Sequence, residues 1–90
     1  MVEINTFVAE GINLGNLMAE KIGPHSQGFC YLGETKKGEG IYYGFGTTIL
    51  VNGNSLSIAG ENNIHYVRKR LEEILGSPLI NYAQSGHHKI

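Results

Sequence analysis

Residues 33–48, GETKKGEGIYYGFGTT, concentrate side chains and backbone groups that bind small ligands. Lysines supply positive charge, threonines supply hydroxyl groups, tyrosine rings supply stacking surfaces, and glycines leave backbone amides accessible. This combination predicts a site for a small anionic ligand that carries a planar group, such as a nucleotide. The predicted contacts within the segment are Lys36, Lys37, Tyr42, Tyr43, Gly44, Gly46, Thr47 and Thr48.

A packing role competes with ligand binding as the explanation of this segment. It lacks the G-x-x-x-x-G-K-[ST] pattern of a phosphate loop, and a strand follows it, so no helix N-terminus is available to hold a phosphate. Glycines that allow a tight turn or a twisted sheet produce the same composition. The sequence alone leaves both explanations open and favours packing.

The basic run Arg68-Lys69-Arg70 lies on a predicted helix. Three consecutive residues spread over roughly 200° of a helix circumference, so they do not form a continuous basic stripe. At least one of them can face a neighbouring site, and we therefore include Arg68 and Arg70 among the candidate ligand contacts.

Catalytic and metal-binding candidates are few. Cys30 and His25 are the residue types of a thiolate–imidazolium pair, but Cys30 alternates within a strand-like run, where a thiol usually serves packing. The adjacent His87 and His88 project in different directions, and the chain has no H-x-x-x-H or C-x-x-C spacing. We predict a non-enzymatic protein without a metal or cofactor.

Composition narrows the classes of partner and compartment. The formal net charge is −1, from 7 basic and 8 acidic residues, which disfavours binding to duplex nucleic acid. A single cysteine excludes an internal disulfide and favours a reducing cytoplasm. The apolar runs fall short of the roughly 20 residues that span a bilayer, and the N-terminus lacks signal-peptide features. We expect a soluble, unprocessed cytoplasmic protein.

The clearest predicted element is a hairpin around Asn52-Gly53, a dipeptide typical of type I′ turns. It joins strands at about 41–51 and 54–59, and QGFCYLG adds a strand at about 27–33. The result is a three-stranded antiparallel meander. The expected cross-strand pairs are Val51 with Asn54, Ile49 with Leu56 and Thr47 with Ile58.

Helical patterns flank this meander. Apolar residues at helical spacing predict an amphipathic helix over about 61–75, ended by Gly76 and Pro78. A shorter helix is predicted over about 13–22, between Asn13 and Gly23-Pro24. Residues 2–9 fit either a strand or a helix, and we favour a strand. The chain is expected to form one α+β domain over 1–90, with a short edge strand at 79–82 and a flexible tail at 83–90.

The alternation of bulky and small residues predicts two different sheet faces. The apolar face, with Tyr43, Phe45, Thr47, Ile49 and Val51, is expected to pack against the helix. Tyr42 and Leu50 accompany small residues on the other face, and residues 41–59 carry no charge at all. An uncharged face of small residues is typical of a subunit interface. The predicted interface residues are Gly44, Gly46, Thr48, Ser55, Ser57 and Ala59.

These observations predict a homo-oligomeric binding protein that captures a small anionic, nucleotide-like ligand near residues 36–48, at a subunit boundary. The alternative is an adaptor or inhibitor that docks on a larger protein through its sheet face or edge. A small cysteine- or metal-dependent enzyme is the third hypothesis. The sequence ranks these three without separating the first two.

Overall fold

A computed structural model describes residues 2–82 and contains a seven-stranded antiparallel sheet with two helices, in agreement with an α+β fold. The helices are α1 (Leu14–Lys21) and α2 (Ile64–Leu75), and neither is long and apolar enough to cross a membrane. The sheet order is β2-β3-β4-β5-β6-β1-β7. The strands are β1 (Glu3–Val8), β2 (His25–Ser26), β3 (Phe29–Glu34), β4 (Gly40–Gly44), β5 (Thr47–Asn52), β6 (Ser55–Gly60) and β7 (Ile80–Asn81).

The consecutive strands β2 to β6 form a meander of five strands, so the predicted three-stranded meander is wrong. β1 confirms the strand interpretation of residues 2–9 and pairs with β6 on the far side of the meander. β7 extends the sheet beyond β1, within the short strand predicted at 79–82. The predicted tail at 83–90, with His87 and His88, lies outside the described residues.

The predicted strand over 41–51 is broken by a two-residue turn at Phe45 and Gly46. Their φ angles are 53° and 74°, as a type I′ turn requires, although Phe is strained in this region. The Phe45 ring packs edge-on against Phe29 and Tyr66, at centroid distances of 5.2 and 5.5 Å. The Asn63 side-chain amide also donates to the Phe45 carbonyl. These tertiary contacts offset the strain. The local sequence contains no signal that predicts them.

This turn reverses the predicted facing of the first half of the segment. Tyr42 and Gly44 are buried on the helix side of the sheet, whereas Tyr43 points away from the helices. Gly44 lies so close to Phe29 and the Gly28 carbonyl that a Cβ at this position would collide with both. The facing predicted for Tyr42, Tyr43 and Gly44 is therefore wrong, because a two-residue turn inserted into the run changes the alternation.

The β5–β6 hairpin has a different register from the predicted one. Its central residues are Gly53, with φ 61°, and Asn54, so Val51 pairs with Leu56 and Ile49 with Ile58. The φ of Asn54 is not positive, so the predicted type I′ turn is also wrong. The register error shifts each partner by two residues. Because side chains alternate with a period of two, the predicted faces of Ile49, Val51, Leu56 and Ile58 survive it.

The C-terminal helix follows its predicted apolar pattern. Its buried residues are Ile64, Val67, Leu71 and Leu75, and Gly76 ends it in the left-handed conformation, at φ 70°. Burying this stripe against the helix side of the sheet forms a two-layer core. Leu71 is fully buried there.

The N-terminal helix was placed at about 13–22, and the structure has α1 over Leu14–Lys21. The Asn13 side chain accepts a hydrogen bond from the Asn16 amide at 2.9 Å, as an N-cap does. The Leu14 amide donates to the Gly53 carbonyl at 2.8 Å, which ties the start of α1 to the tip of the β5–β6 hairpin. Leu14 and Met18 bury the inner side of the helix.

Candidate functional site

An open groove of about 640 Å³ lies between α1 and strands β3 to β5, on the helix side of the sheet. Its floor is formed by Tyr31, Tyr42 and Gly40, and its wall by the outer side of α1. The volume falls within the roughly 300–1,000 Å³ typical of small-molecule sites. The groove is therefore large enough for a ligand of nucleoside size.

Small residues on α1 keep the groove open. Gly15 and Ala19 line it and are four residues apart, so they lie on the same side of the helix. Leu14 and Met18 pack into the core and hold the helix in place. Larger side chains at the two small positions would fill the space above the sheet.

The groove floor is aromatic. Tyr31 and Tyr42 are cross-strand partners, and their ring centroids lie 5.2 Å apart with an interplanar angle of 54°. A Cβ at Gly40 would lie 3.6 Å from the Tyr42 ring and 3.8 Å from the Tyr31 ring, so glycine leaves space beside the two rings at this point. Tyr42 is 4% exposed and Tyr31 is 41% exposed. Tyr31 therefore offers the larger stacking surface.

Burial raises the pKa of Tyr42 in the groove floor. Desolvation, and secondarily the nearby Tyr31, raises the pKa of Tyr42 above its ordinary value of 10.0. The Tyr42 hydroxyl is therefore neutral throughout the physiological range, and it remains a hydrogen-bond donor as well as an acceptor.

Glu34 adds a carboxylate to the same face as Tyr31. The register of β3 shifts between Tyr31 and Gly33, which allows Tyr31 to pair with Tyr42 and Glu34 with Gly40. This bulge brings two residues three positions apart onto one face, where regular alternation would separate them. Glu34 lines the groove and is exposed, so its carboxylate can accept hydrogen bonds from a ligand.

The β3–β4 turn bounds the groove at Gly38, and Thr35 closes this turn. The Thr35 hydroxyl accepts from the amides of Lys37 and Glu39, at 3.2 and 3.1 Å, and the Thr35 carbonyl accepts from the Gly38 amide at 3.0 Å. These amides are occupied, contrary to the expectation that the glycines leave them accessible to an anion. The exposed Lys36 and Lys37 side chains are the groups that remain for a phosphate.

Several predicted ligand contacts lie away from the groove. Thr47 is fully buried and donates to the Gly44 carbonyl at 2.8 Å, so both residues belong to the core. Gly46 and Thr48 line a separate shallow depression beside Gly60. Of the predicted set, Tyr42 lines the groove, and Lys36 and Lys37 precede Gly38 at its edge.

The two arginines have local partners instead. Arg68 forms an ion pair with Glu72 at 3.1 Å, and its guanidinium lies 5.8 Å from the centre of the Phe7 ring. The Arg70 guanidinium lies 5.8 Å from the centre of the Phe45 ring and donates to the Gln27 carbonyl at 3.5 Å. Neither side chain lines the groove.

The predicted interface residues lie in different parts of the molecule. Thr48, Ser55, Ser57 and Ala59 lie on the sheet face opposite the helices and are half-buried. The other two, Gly44 and Gly46, lie in the core and in the β4–β5 turn.

Sequence reasoning missed Tyr31, Glu34, Gly15 and Ala19 as groove residues. The four-residue spacing of Gly15 and Ala19 is a readable signal, because it places two small residues beside the buried side of a short helix. The joint position of Tyr31 and Glu34 depends on the β3 bulge, for which the sequence offers no comparable signal.

The structure brings the catalytic candidates Cys30 and His25 together as cross-strand partners, on the face opposite the helices. No hydrogen bond joins them in the described part of the chain, and Cys30 is half-buried. Residues 2–82 contain no group of three His, Cys, Asp or Glu side chains that could hold a metal ion. The enzyme alternative therefore stays a prediction.

Comparisons with protein-family models, with curated proteins and with solved structures found no match. A functional proposal therefore depends on the groove and the sheet themselves.

Proposed function

We propose that this protein is a non-enzymatic binding protein that holds a small planar ligand of the nucleoside or nucleotide class in the groove between α1 and the sheet. The observation that carries this proposal is the aromatic floor of the groove, where the exposed Tyr31 ring lies against the buried Tyr42 ring, beneath a helix wall of small residues. Few contacts are available to a ligand: aromatic rings below it, a carboxylate at the rim and two lysines at the edge.

Stacking supplies the main contribution to binding. A base on an aromatic side chain contributes about 1–3 kcal/mol, and this contribution tolerates different bases because every base has a π-face. Tyr31 is exposed enough to receive a ring, while Tyr42 supports it from the core. Glu34 lies on the same face and can accept a hydrogen bond from an amino group of the base.

Lys36 and Lys37 make a smaller, anion-specific contribution. Both are exposed and lie next to Gly38 at the edge of the groove, where a phosphate attached to the bound ring can approach them. The carboxylates of Glu34 and Glu39 in the same hairpin balance their charge. We therefore expect the ring to dominate affinity and the phosphate to add to it.

Adenosine and AMP are matched probes because they share the ring and differ by the phosphate. We expect both to bind with a Kd on the order of 0.1–1 mM, as measured by titration calorimetry or by ligand-observed NMR. Tyr31→Ala should weaken both by about 5- to 150-fold, which corresponds to the loss of one stacking contact. Tyr43→Ala is the control, since it removes an exposed tyrosine from the opposite sheet face.

Ala19→Leu should abolish binding of both probes by filling the groove, while Leu preserves helix propensity. Glu20→Ala, on the same helix but outside the groove lining, should leave binding unchanged. The double variant Lys36→Ala, Lys37→Ala should weaken AMP and leave adenosine unaffected. Failure of both probes to bind at millimolar concentration, or binding that ignores Tyr31→Ala and Ala19→Leu, would refute this proposal.

A further inference from the structure

The sheet face opposite the helices, here called the outer face, has no Asp, Glu, Lys or Arg among the outward-pointing residues of the seven described strands. Its alternation is set by β1, β4, β5 and β6, whose cross-strand partners share one side of the sheet. Small or apolar side chains occupy its middle, namely Ile4, Tyr43, Thr48, Leu50, Ser57 and Ala59.

No element among residues 2–82 covers the outer face, because both helices pack on the other side. Ile4 is 68% exposed and Tyr43 is 46% exposed. A sheet face in contact with water ordinarily carries polar and charged side chains, and contiguous apolar patches of more than a few hundred Å² are rare on monomers. The composition is that of a contact surface.

We propose that the outer face binds a second copy of this chain by face-to-face packing of the two sheets. The five longer strands are spaced about 4.8 Å apart and run about 20 Å, so they cover about 480 Å² in projection. Because side chains make the surface uneven, the accessible area of the face exceeds its projected area. A stable interface buries roughly 800 Å² of accessible area per partner. The projected area of the outer face is thus somewhat more than half of the accessible area that a stable dimer buries per partner.

Charge favours a second copy over an unrelated protein as the occupant. In a twofold dimer the same patch lies on both sides of the interface, so a charged face would oppose like charges. The outer face avoids this repulsion, and the net charge of −1 per chain adds little. The half-buried Thr48, Ser57 and Ala59 allow two sheets to approach to about 10 Å.

The proposed interface is independent of the groove. The groove lies on the helix side of the sheet, so each protomer of the dimer would keep its own groove open. This arrangement differs from the sequence-based expectation of a ligand at a subunit boundary. A failed ligand-binding experiment therefore does not contradict the dimer proposal. Likewise, a monomeric wild type does not contradict ligand binding in the groove.

Ser57→Arg tests the interface at its centre, on β6 between β5 and β1. The side chain is half-buried in the single chain, so the monomer can accommodate Arg at the surface, whereas a dimer would enclose an unpaired charge. Light scattering in reducing buffer should report twice the mass of one chain for the wild type and a single-chain mass for the variant. We expect the dissociation constant of the dimer to rise by about 30-fold or more.

His65→Arg is the control variant, because it adds a cation at an exposed position on α2 and should leave the dimer intact. Far-UV circular dichroism checks that each variant is folded. If Ser57→Arg does not fold, Thr48→Lys on β5 introduces a charge into the same face and has the same expected result.

Cys30 provides a second measurement, since the single cysteine of the chain lies on the outer face. Its rate of reaction with a thiol reagent should fall as wild-type protein concentration rises, and should be independent of concentration in Ser57→Arg. Cys30→Ser should preserve the dimer mass, which separates packing from a disulfide link.

Three results would overturn the proposal. The first is a wild type that scatters light as a single chain at millimolar concentration. The second is a dimer that persists in folded Ser57→Arg and Thr48→Lys, which would place the contact elsewhere. The third is a wild-type chain that is monomeric when pure and forms a stoichiometric complex with a larger protein that Ser57→Arg disrupts, as expected of an adaptor.

Discussion

The two faces of the sheet are built from the same strands and have opposite environments. On β5, Ile49 is fully buried beneath the helices, while its neighbour Leu50 lies on the outer face and is half-buried. Both are aliphatic residues in an uncharged run, so residue type alone does not separate them. The separation comes from the two helices, α1 against β5 and α2 against β6, which cover one face of the sheet and leave the other open. An uncharged strand can thus have one side in the core and the other on an open face.

The helix side is itself divided. α2 covers its part of the sheet with large aliphatic residues, whereas the short α1 presents Gly15 and Ala19 to the groove. The core, the groove and the outer face are therefore distinguished by what lies above the sheet. Adjacent residues on β4 and β5 allow this distinction to be tested with matched pairs of substitutions.

The largest effect is expected from Gly44→Ala. A Cβ at Gly44 would lie within 3.0 Å of the Gly28 carbonyl and the Phe29 ring, and the backbone has to move to make room. We expect a loss of about 4 kcal/mol or more in the free energy of unfolding. Gly40→Ala, on the same strand, adds a Cβ at 3.6 Å from its nearest neighbour and should change stability little. Similar urea midpoints for the two variants would show that the helix side is not tightly packed at Gly44.

Truncation of the neighbours Ile49 and Leu50 should have unequal effects. Ile49→Ala removes a fully buried side chain and should cost about 2–5 kcal/mol, whereas Leu50→Ala should cost less than about 1 kcal/mol in a monomer. Urea unfolding in the Ser57→Arg background measures both without any contribution from dimerisation. Equal losses would mean that the outer face is as buried within one chain as the core is.

A smaller difference is expected between Thr47→Val and Thr48→Val. Thr47→Val removes the buried hydrogen bond that the Thr47 hydroxyl donates to the Gly44 carbonyl and should cost about 1 kcal/mol. Thr48→Val, on the outer face, should be neutral or slightly stabilising, since Val suits a strand. Thermal melts of the two variants check the prediction, and a more destabilising Thr48→Val would reverse the assignment of the two faces.

The smallest effect concerns alkaline pH. The pKa of Tyr42 is higher in the folded protein than its ordinary value of 10.0, so its contribution to stability is complete below about pH 10 and is lost as pH rises through the folded pKa. Tyr42→Phe should therefore reduce the loss of unfolding free energy as the pH rises above about 10, as measured by urea titrations. Tyr43→Phe, on the outer face, serves as the matched control. An unchanged pH dependence in Tyr42→Phe would contradict burial of this hydroxyl.

Much of the architecture was predictable because it depends on local patterns. The α2 stripe, its Gly76 stop and the β5–β6 hairpin follow from spacing and turn residues within short segments. The candidate site was less predictable. Its floor needs the β3 bulge to place Tyr31 and Glu34 together, and its open space needs α1 to cross the sheet at Gly15 and Ala19.

The sequence by itself determined which residues of β5 and β6 share a side of the sheet. Ile49, Val51, Leu56 and Ile58 lie on one face even though the predicted register differs by two residues from the observed one, because side chains alternate with a period of two. Only the tertiary structure decided the turn at Phe45 and Gly46. A phenylalanine adopts positive φ there because its ring packs against Phe29 and Tyr66, which are distant in sequence and contribute nothing to a local pattern. That one turn moved Tyr42 into the core beneath the groove and Tyr43 onto the outer face, because facing along a strand depends on the count of residues from the last reversal.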